Sequence, residues 1–374
     1  MRVYVYPGDS WGCGGYRMAW PARAAMRVDP VAMAVFCVPP SDRQISLDVN
    51  QAGQVVRERF PEDADVIVFQ RPTSHYVVNA IQLLQRRGVA VVVDMDDDLA
   101  HIDPANPAWA VHQPVLVAPD GSGRTAPNQH KHANATLACR MADMVTVSTE
   151  ALAASYGAHG RVRVLHNQVP ARYLDVAHSD SDLVGWGGSL HSHPNDLQVL
   201  GPAMAQVVGA GARFEVAGDP EGIGRVLGLP ADPPGPGIVA LHDWPTAMAE
   251  FGIGIAPLAD SRFNRAKSWL KPLEYSAVGV PWVASPRPEY QRWLQASGGG
   301  MLAAKPKHWA AMLRRLIREP NLRQELGAAG RQAAAANTIE GNAWRWCEAW
   351  ADAHTYHRAR HQLVDKASGV PVVA

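Results

Sequence analysis

Short apolar runs alternate with amphipathic stretches along most of the chain. MRVYVY (1–6) alternates like a strand and runs into the glycine-rich PGDSWGCGG. ADVIVFQ (64–70), VAVVV (89–93) and ADMVTVST (142–149) predict three more strands. HYVVNAIQLLQRRG predicts an amphipathic helix that Gly88 stops. Apolar strands separated by helices belong to a parallel sheet covered on both faces. The stretch between His101 and Lys131, rich in Pro, Asn and Gly, reads as a long functional loop or lid.

At RVRVLHNQVPARYLD the pattern turns polar and proline-rich, then begins again. DLVGWGG, RFEVAGD, FGIGIAPL and VPWVAS predict the strands of a second sheet, with helices at NDLQVLGPAMAQVVGAG and KSWLKPLEYSAVG. Further helices follow from Trp309 to Asn337. The chain therefore divides near Pro170 to His178 into an N-terminal domain, 1–172, and a C-terminal domain, 173–337. A closing helix, 338–366, and a tail, 367–374, complete it. The 374 residues suit two cores rather than one. Two such α/β domains leave a ligand cleft at the carboxyl ends of their strands. Trp346, Trp350 and His354, at i, i+4 and i+8 on the closing helix, read as a packing stripe.

Composition narrows the class. Apolar residues make up 47% and charged residues 19%, as in a soluble globular protein. Lys plus Arg equals Asp plus Glu at 35 each, so no global basic field suggests a nucleic-acid partner. Cys13, Cys37, Cys139 and Cys347 lie far apart, without the pairing of a zinc site or a disulfide framework. The opening residues form a strand pattern rather than a leader, and no apolar run reaches membrane-spanning length, so a cytoplasmic location is expected. KPKHWAAMLRRLIRE is basic and amphipathic; a solvated helix face is the ordinary reading, and weak peripheral membrane contact the other.

The densest chemistry lies in SRFNRAKSWLKPLEYSAVGVPWVAS, 261–285. A helix starting near Ser268 sets Lys267, Lys271 and Glu274 at near-helical spacing on one face. Cations at a helix N-terminus are unfavourable for the helix alone, so an anionic ligand would explain them. Glu274, one turn deeper, has the acceptors for two vicinal hydroxyls. Anion first and diol second is the layout of a nucleotide diphosphate with its ribose. The ordinary alternative is a solvated Lys/Glu surface.

These residues resemble the donor-binding helix of GT-B glycosyltransferases, in particular the retaining nucleotide-sugar family numbered four (glycosyl transferases group 1). MADMVTVSTEALAASYGAHGRVRVLHNQVPARYLD resembles that family's last N-domain strand and interdomain crossing. LVGWGGSLHSHPNDLQVL resembles its first C-domain strand and glycine turn, and IEGNAWRWCEAW its closing helix. The likeness spans most of 142–350 and thins before it, where GCGGYR is the clear counterpart. It implies a GT-B fold: two Rossmann-like domains facing a cleft, with the C-terminal helix returning to the N-domain. It implies sugar transfer from a nucleotide-diphosphate sugar to an acceptor hydroxyl, with retention and with no metal or other cofactor required. Gly187, Gly188 and Ser189 would approach the diphosphate; Lys267, Ser268 and Lys271 would hold it, Lys271 catalytically; and Glu274 would hold the ribose. Gly14, Gly15, Tyr16 and Arg17 would form an N-domain loop closing on phosphate or acceptor, with His193 and Asp196 lining the same cleft. Many members carry an acidic residue where this chain has Ala266, which leaves the donor sugar and the anomeric outcome open. The acceptor classes are a polysaccharide, a lipid-linked glycan, a protein or a modified nucleic acid.

VAVVVDMDDDLAHIDP (89–104) places Asp94, Asp96, Asp97 and Asp98 directly after a strand. Three chemistries use such a run: a metal-binding DxD, a phosphohydrolase aspartate pair, and a metal-free cluster facing acceptor hydroxyls. The third agrees with the resemblance, with Asp97 and Asp98 as acceptor-side catalytic residues and Asp94 or Asp96 as caps. A magnesium-dependent phosphohydrolase and a catalytically silent nucleotide-sugar-binding protein are the other two functions considered. His101, His112, His130, His132 and His166 have no spacing that forces a ligand set.

Overall fold

A computed structural model describes residues 1–39, 47–52, 54–112, 116–117, 123–124, 131–178 and 180–368. Contacts divide the chain into two units. The first holds Met1–Ala100, Ala110–His166 and the chain from Asn342 onward; the second holds His101–Trp109 and Asn167–Gly341. The chain thus leaves the first unit after His166, ahead of the expected 172/173, and re-enters it at Asn342.

The first unit is built on β1 (Arg2–Tyr6), β2 (Ala34–Cys37), the hairpin β3 (Leu47–Val49) and β4 (Val55–Glu58), β5 (Val66–Gln70) and β6 (Ala90–Met95). The antiparallel pair β7 (Leu116–Val117) and β8 (Gly123–Arg124), then β9 (Met144–Val147) and β10 (Val162–Val164), follow. The main sheet runs β10-β9-β6-β5-β1-β2 and every pairing is parallel. Every residue of β5 and β6 is buried, the two-sided covering that their apolar runs require. The long C-terminal helix Trp344–Ser368 supplies part of that cover. Trp346, Trp350 and Ala353 join a core cluster with Val3, Val5, Val66, Val68 and Val92, so the indole stripe is packing.

The second unit holds β11 (Val184–Gly187), β12 (Phe214–Ala217), β13 (Ile253–Ala256), β14 (Trp282–Ala284) and β15 (Gly300–Leu302). They form a parallel sheet in the order β12-β11-β13-β14-β15. Several expectations shift in detail. The helix read through NDLQVLGPAMAQVV breaks into a turn, Leu197–Leu200, and a helix, Ala203–Val208, because Gly201 takes φ 51° and Pro202 cannot continue the ladder. The basic stretch after Lys305 forms the helix Pro306–Arg318, whose Trp309, Leu313 and Leu316 lie in the second unit's core. Its apolar face is thus already occupied. Among the described residues no helix is long and apolar enough to cross a membrane.

Candidate functional site

The second unit gathers its polar chemistry where β11 and β13 end. The helix that precedes β14, Leu270–Ala277, starts at Leu270 rather than Ser268, because Ser268 and Trp269 are tied down before it. Asn167 donates from Nδ2 to Ser268 Oγ (2.8 Å), and Trp269 Nε1 donates to the Asn167 carbonyl (2.9 Å). Lys271 then lies one turn before Glu274, and Lys271 Nζ meets Glu274 Oε2 at 2.8 Å. Trp244 Nε1 donates to the other carboxylate oxygen (3.1 Å), and its ring lies 4.6 Å from the ammonium. Glu274 is 2% exposed, so its charge is matched by an ion pair and an indole in a partly dry setting. Lys267 stacks over Phe263 at 4.4 Å.

The glycine turn comes in directly beside this group. A Cβ on Gly187 would meet the Trp244 ring at 2.8 Å and Lys271 Nζ at 3.6 Å, so only glycine lets β11 end this close. The Gly187 N–H donates to Tyr275 Oη (3.2 Å), whose hydroxyl donates to the Ile255 carbonyl (3.2 Å), and the Gly188 N–H donates to Ala217 (3.1 Å). With those two N–H groups committed, Ser189 is the member of the turn whose N–H, among the described residues, is not used inside the protein. Beside it opens a cavity of about 620 Å³, lined by Ser189, His191, Asp219, Glu221 and Arg225 among others.

Asp196 does not act as a helix cap. Its Oδ1 accepts from the Ala259 N–H (2.8 Å) and Asn264 Nδ2 (2.7 Å), while Oδ2 holds His193 Nδ1 at 2.8 Å. It braces the loop after the glycine turn against the segment that leads to Lys267.

In the first unit the aspartate run divides into separate roles. Asp94 is fully buried and paired with Arg17: Nε to Oδ1 at 3.1 Å and Nη2 to Oδ2 at 2.6 Å, with Thr146 Oγ1 donating to Oδ2 at 2.7 Å. Arg17 also donates to the Leu165 carbonyl. Its guanidinium is engaged inside the protein rather than presented to a ligand, and Asp94 is a core ion-pair partner rather than a cap. The phosphohydrolase pair loses its first carboxylate by the same contacts. Residues 12–19 are helical rather than a loop, with Gly15–Ala19 a π-turn. Asp9 starts this helix, Oδ1 accepting from the Trp11 (2.9 Å) and Gly14 (3.0 Å) N–H groups. A Cβ on Gly14 would strike the Asp9 carbonyl at 1.9 Å, and Tyr16 is 2% exposed.

Asp96 and Asp97 meet a second arginine. Arg71, at the end of β5, takes the uncommon φ of 47°. It pairs with Asp9 and brings Nε to 3.4 Å from Asp96 Oδ1, an oxygen that receives no hydrogen bond. Burial pushes the Asp96 carboxyl up, with Arg71 opposing and Asp97 adding to the shift. Cys13 Sγ and carboxylate oxygens of Asp96 and Asp97 lie within 4.8 Å of one another, the spacing of a ligand set. Burial also pushes the Cys13 thiol well up, and a protonated thiol is a poor metal ligand. Arg71 already supplies the group's positive charge. Asp98 is 3% exposed, and the backbone around it is fixed by Tyr156, whose hydroxyl accepts from the Leu99 N–H (3.1 Å) and donates to the Asp97 carbonyl (3.2 Å).

Residues 202–348 match the family model described as glycosyl transferase-like. Solved structures of the GT-B fold resemble most of the chain. HepE from Anabaena in complex with UDP is 14% identical, with 93% of this chain and 98% of that chain covered at a TM-score of 0.59. Sucrose-phosphate synthase from Thermosynechococcus elongatus is also 14% identical, covering 93% and 97% at 0.61. A glycosyltransferase from Rickettsia africae is 11% identical, covering 94% and 98% at 0.56. The chain has a GT-B fold. No curated protein matches it.

In this GT-B fold, then, the second unit brings together Gly187, Gly188, Lys271 and Glu274, with Ser189 beside them, while Lys267 and Ser268 occupy the approach to the same helix. Trp244 and Asn167 complete the group and carried no signal of their own in the sequence: one opens a helix that also begins with proline, the other sits in the crossing segment. In the first unit the residues grouped with Asp96 and Asp97 that sequence reasoning did not single out are Asp9, Cys13 and Arg71. The clue available for the last was its position, one residue beyond a buried strand's carboxyl end.

Proposed function

We propose that the protein is a glycosyltransferase that takes a sugar from a nucleotide-diphosphate donor bound at Gly187–Ser189, Lys271 and Glu274. One observation carries this reading. A buried carboxylate, a lysine and an indole hold one another beside a glycine turn whose Ser189 N–H has no acceptor among the described residues. The UDP named with HepE, and the UDP-glucose of a second HepE complex, support a nucleotide donor.

Without ligand, Lys271 and Glu274 neutralise each other. On binding, the ammonium turns to the diphosphate and the carboxylate to the ribose hydroxyls, so the ion pair is exchanged for two charge-assisted contacts. In transfer, the bond between the anomeric carbon and the diphosphate oxygen breaks, its electron pair leaving with the diphosphate, where Lys271 meets the developing charge. The acceptor oxygen forms the new bond, and its proton passes to Asp97, the half-buried carboxylate of the run.

Lys271→Ala and Glu274→Ala should each weaken UDP binding by about 1–3 kcal/mol. Calorimetry with a panel of nucleoside diphosphates measures this, and unchanged affinity in both variants removes the site assignment. Retention and metal independence belong to the same proposal. The anomeric coupling in the product's proton NMR spectrum should equal that of the donor sugar, and chelator should leave the rate unchanged.

A further inference from the structure

The first unit gathers a second set of charges, at the end of its sheet away from Arg71 and Asp96. The hairpin β3–β4 packs on the helix His75–Arg86, and a cavity of about 730 Å³ opens between β4 and the end of that helix. Arg57 and Arg59 line it from the strand side, Arg86 and Arg87 from the helix side, with Glu58 and Glu62. The chain runs from Glu62 into β5 and from Arg87 into β6, so the cavity lies at the amino ends of both strands. Arg71 and Asp96 follow the carboxyl ends of the same strands, and the six residues of β6, at about 3.3 Å each, separate the two groups. Sheets of this kind bind their substrates at the carboxyl ends, so a ligand held here is not a reactant.

Two of the four guanidinium groups are engaged inside the protein. Glu58 is 8% exposed; its Oε1 pairs with Arg87 Nη1 and its Oε2 accepts from the Phe60 N–H (2.8 Å), while Arg87 Nη2 donates to the Pro61 carbonyl (2.9 Å). Arg59 Nη2 meets Asp48 Oδ1 at 3.2 Å in an exposed pair, which holds it weakly. Arg57 and Arg86 have no acceptor among the described residues, and Glu62 makes no ion pair there. The carboxyl end of a helix favours a cation, which accounts for Arg86 alone. Nothing local offsets a second uncommitted guanidinium on the same cavity, in a chain whose formal net charge is zero. One guanidinium fork satisfies a carboxylate, whereas two forks suit the three terminal oxygens of a phosphoryl group.

We propose that this cavity binds a phosphoryl group, carried by a soluble phosphorylated compound or by a lipid headgroup, at a site separate from sugar transfer. Arg57 and Arg86 supply the charge-assisted contacts, and Arg59 exchanges its exposed partner to join them. Arg87, fixed by Glu58, forms the rigid wall. The inference is independent of the donor reading, because Gly187–Ser189, Lys271 and Glu274 take no part in it.

The test is calorimetry with pyrophosphate, run on Lys271→Ala protein so that the donor residues contribute little. Pyrophosphate should bind, and adding Arg57→Ala with Arg86→Ala should weaken it about tenfold or more. Adding Arg314→Ala with Arg318→Ala instead, two exposed arginines of the helix Pro306–Arg318, removes the same charge elsewhere and should leave binding unchanged. Thermal melting of each variant separates lost binding from lost folding. A second arm, co-sedimentation of wild-type protein and the Arg57→Ala, Arg86→Ala variant with phosphatidylglycerol or phosphatidylcholine vesicles, tells the two sources apart. Retention on phosphatidylglycerol that needs Arg57 and Arg86 assigns a headgroup, and pyrophosphate binding without such retention assigns a soluble ligand. Binding of neither probe, or an equal loss in the Arg57, Arg86 and Arg314, Arg318 variants, would overturn the proposal.

Discussion

Arg17 and Asp94 are 1% and 0% exposed, and each is the other's main compensation. Desolvating two charges is repaid only while both are present, so removing one should cost far more than the pair contributes. Arg17→Ala should destabilise the first unit by about 3–5 kcal/mol in urea denaturation, and Arg17→Ala combined with Asp94→Asn should recover part of that. This pair was not legible in the sequence, since the partners lie on different elements 77 residues apart and nothing local announces the contact. Lys271 and Glu274 are the opposite case. They are three residues apart on one helix, and their neighbourhood follows from helical geometry alone. The same reasoning that found them misplaced Arg17, because a glycine-rich stretch looks like a loop until Asp9 is seen to start a helix.

At the scale of elements, the long apolar strands were legible because burial on both faces leaves a continuous run in the sequence. The edge strands β2, β10 and β15 were not, having three or four residues each and too little period to read. The return helix was legible through its indole stripe, and its packing makes a prediction. Trp350 is 1% exposed among the valines of β1, β5 and β6. Trp350→Ala should cost the first unit about 3–5 kcal/mol, read from the midpoint of its denaturant transition. Substitution of exposed Trp344 should change that midpoint little.

For the molecule as a whole, pH should act through a histidine. Burial, together with Lys131, Arg71 and His132, pushes His112 down to about 4 from its ordinary 6.5. Between those values the unfolded chain takes up a proton that the folded chain refuses. Stability is therefore full above pH 6.5 and falls as the pH drops toward 4. His112→Gln should flatten this slope in melting curves collected across that window, leaving the values above pH 7 nearly unchanged. The two-unit division was legible in outline, since the pattern stops and restarts near the crossing. That residues 101–109 belong with the second unit was not, because they follow directly on a first-unit strand.

The return of the C-terminal helix also sets an order of events at the ribosome. Residues 167–341 are all made before Trp346 and Trp350 are added, so the second unit has its complete sequence first although most of the first unit is made earlier. Until translation nears its end, the nascent first sheet keeps one apolar face without its final cover. A stalled or prematurely stopped transcript would release a polypeptide with a finished rear half and a sticky, chaperone-dependent front.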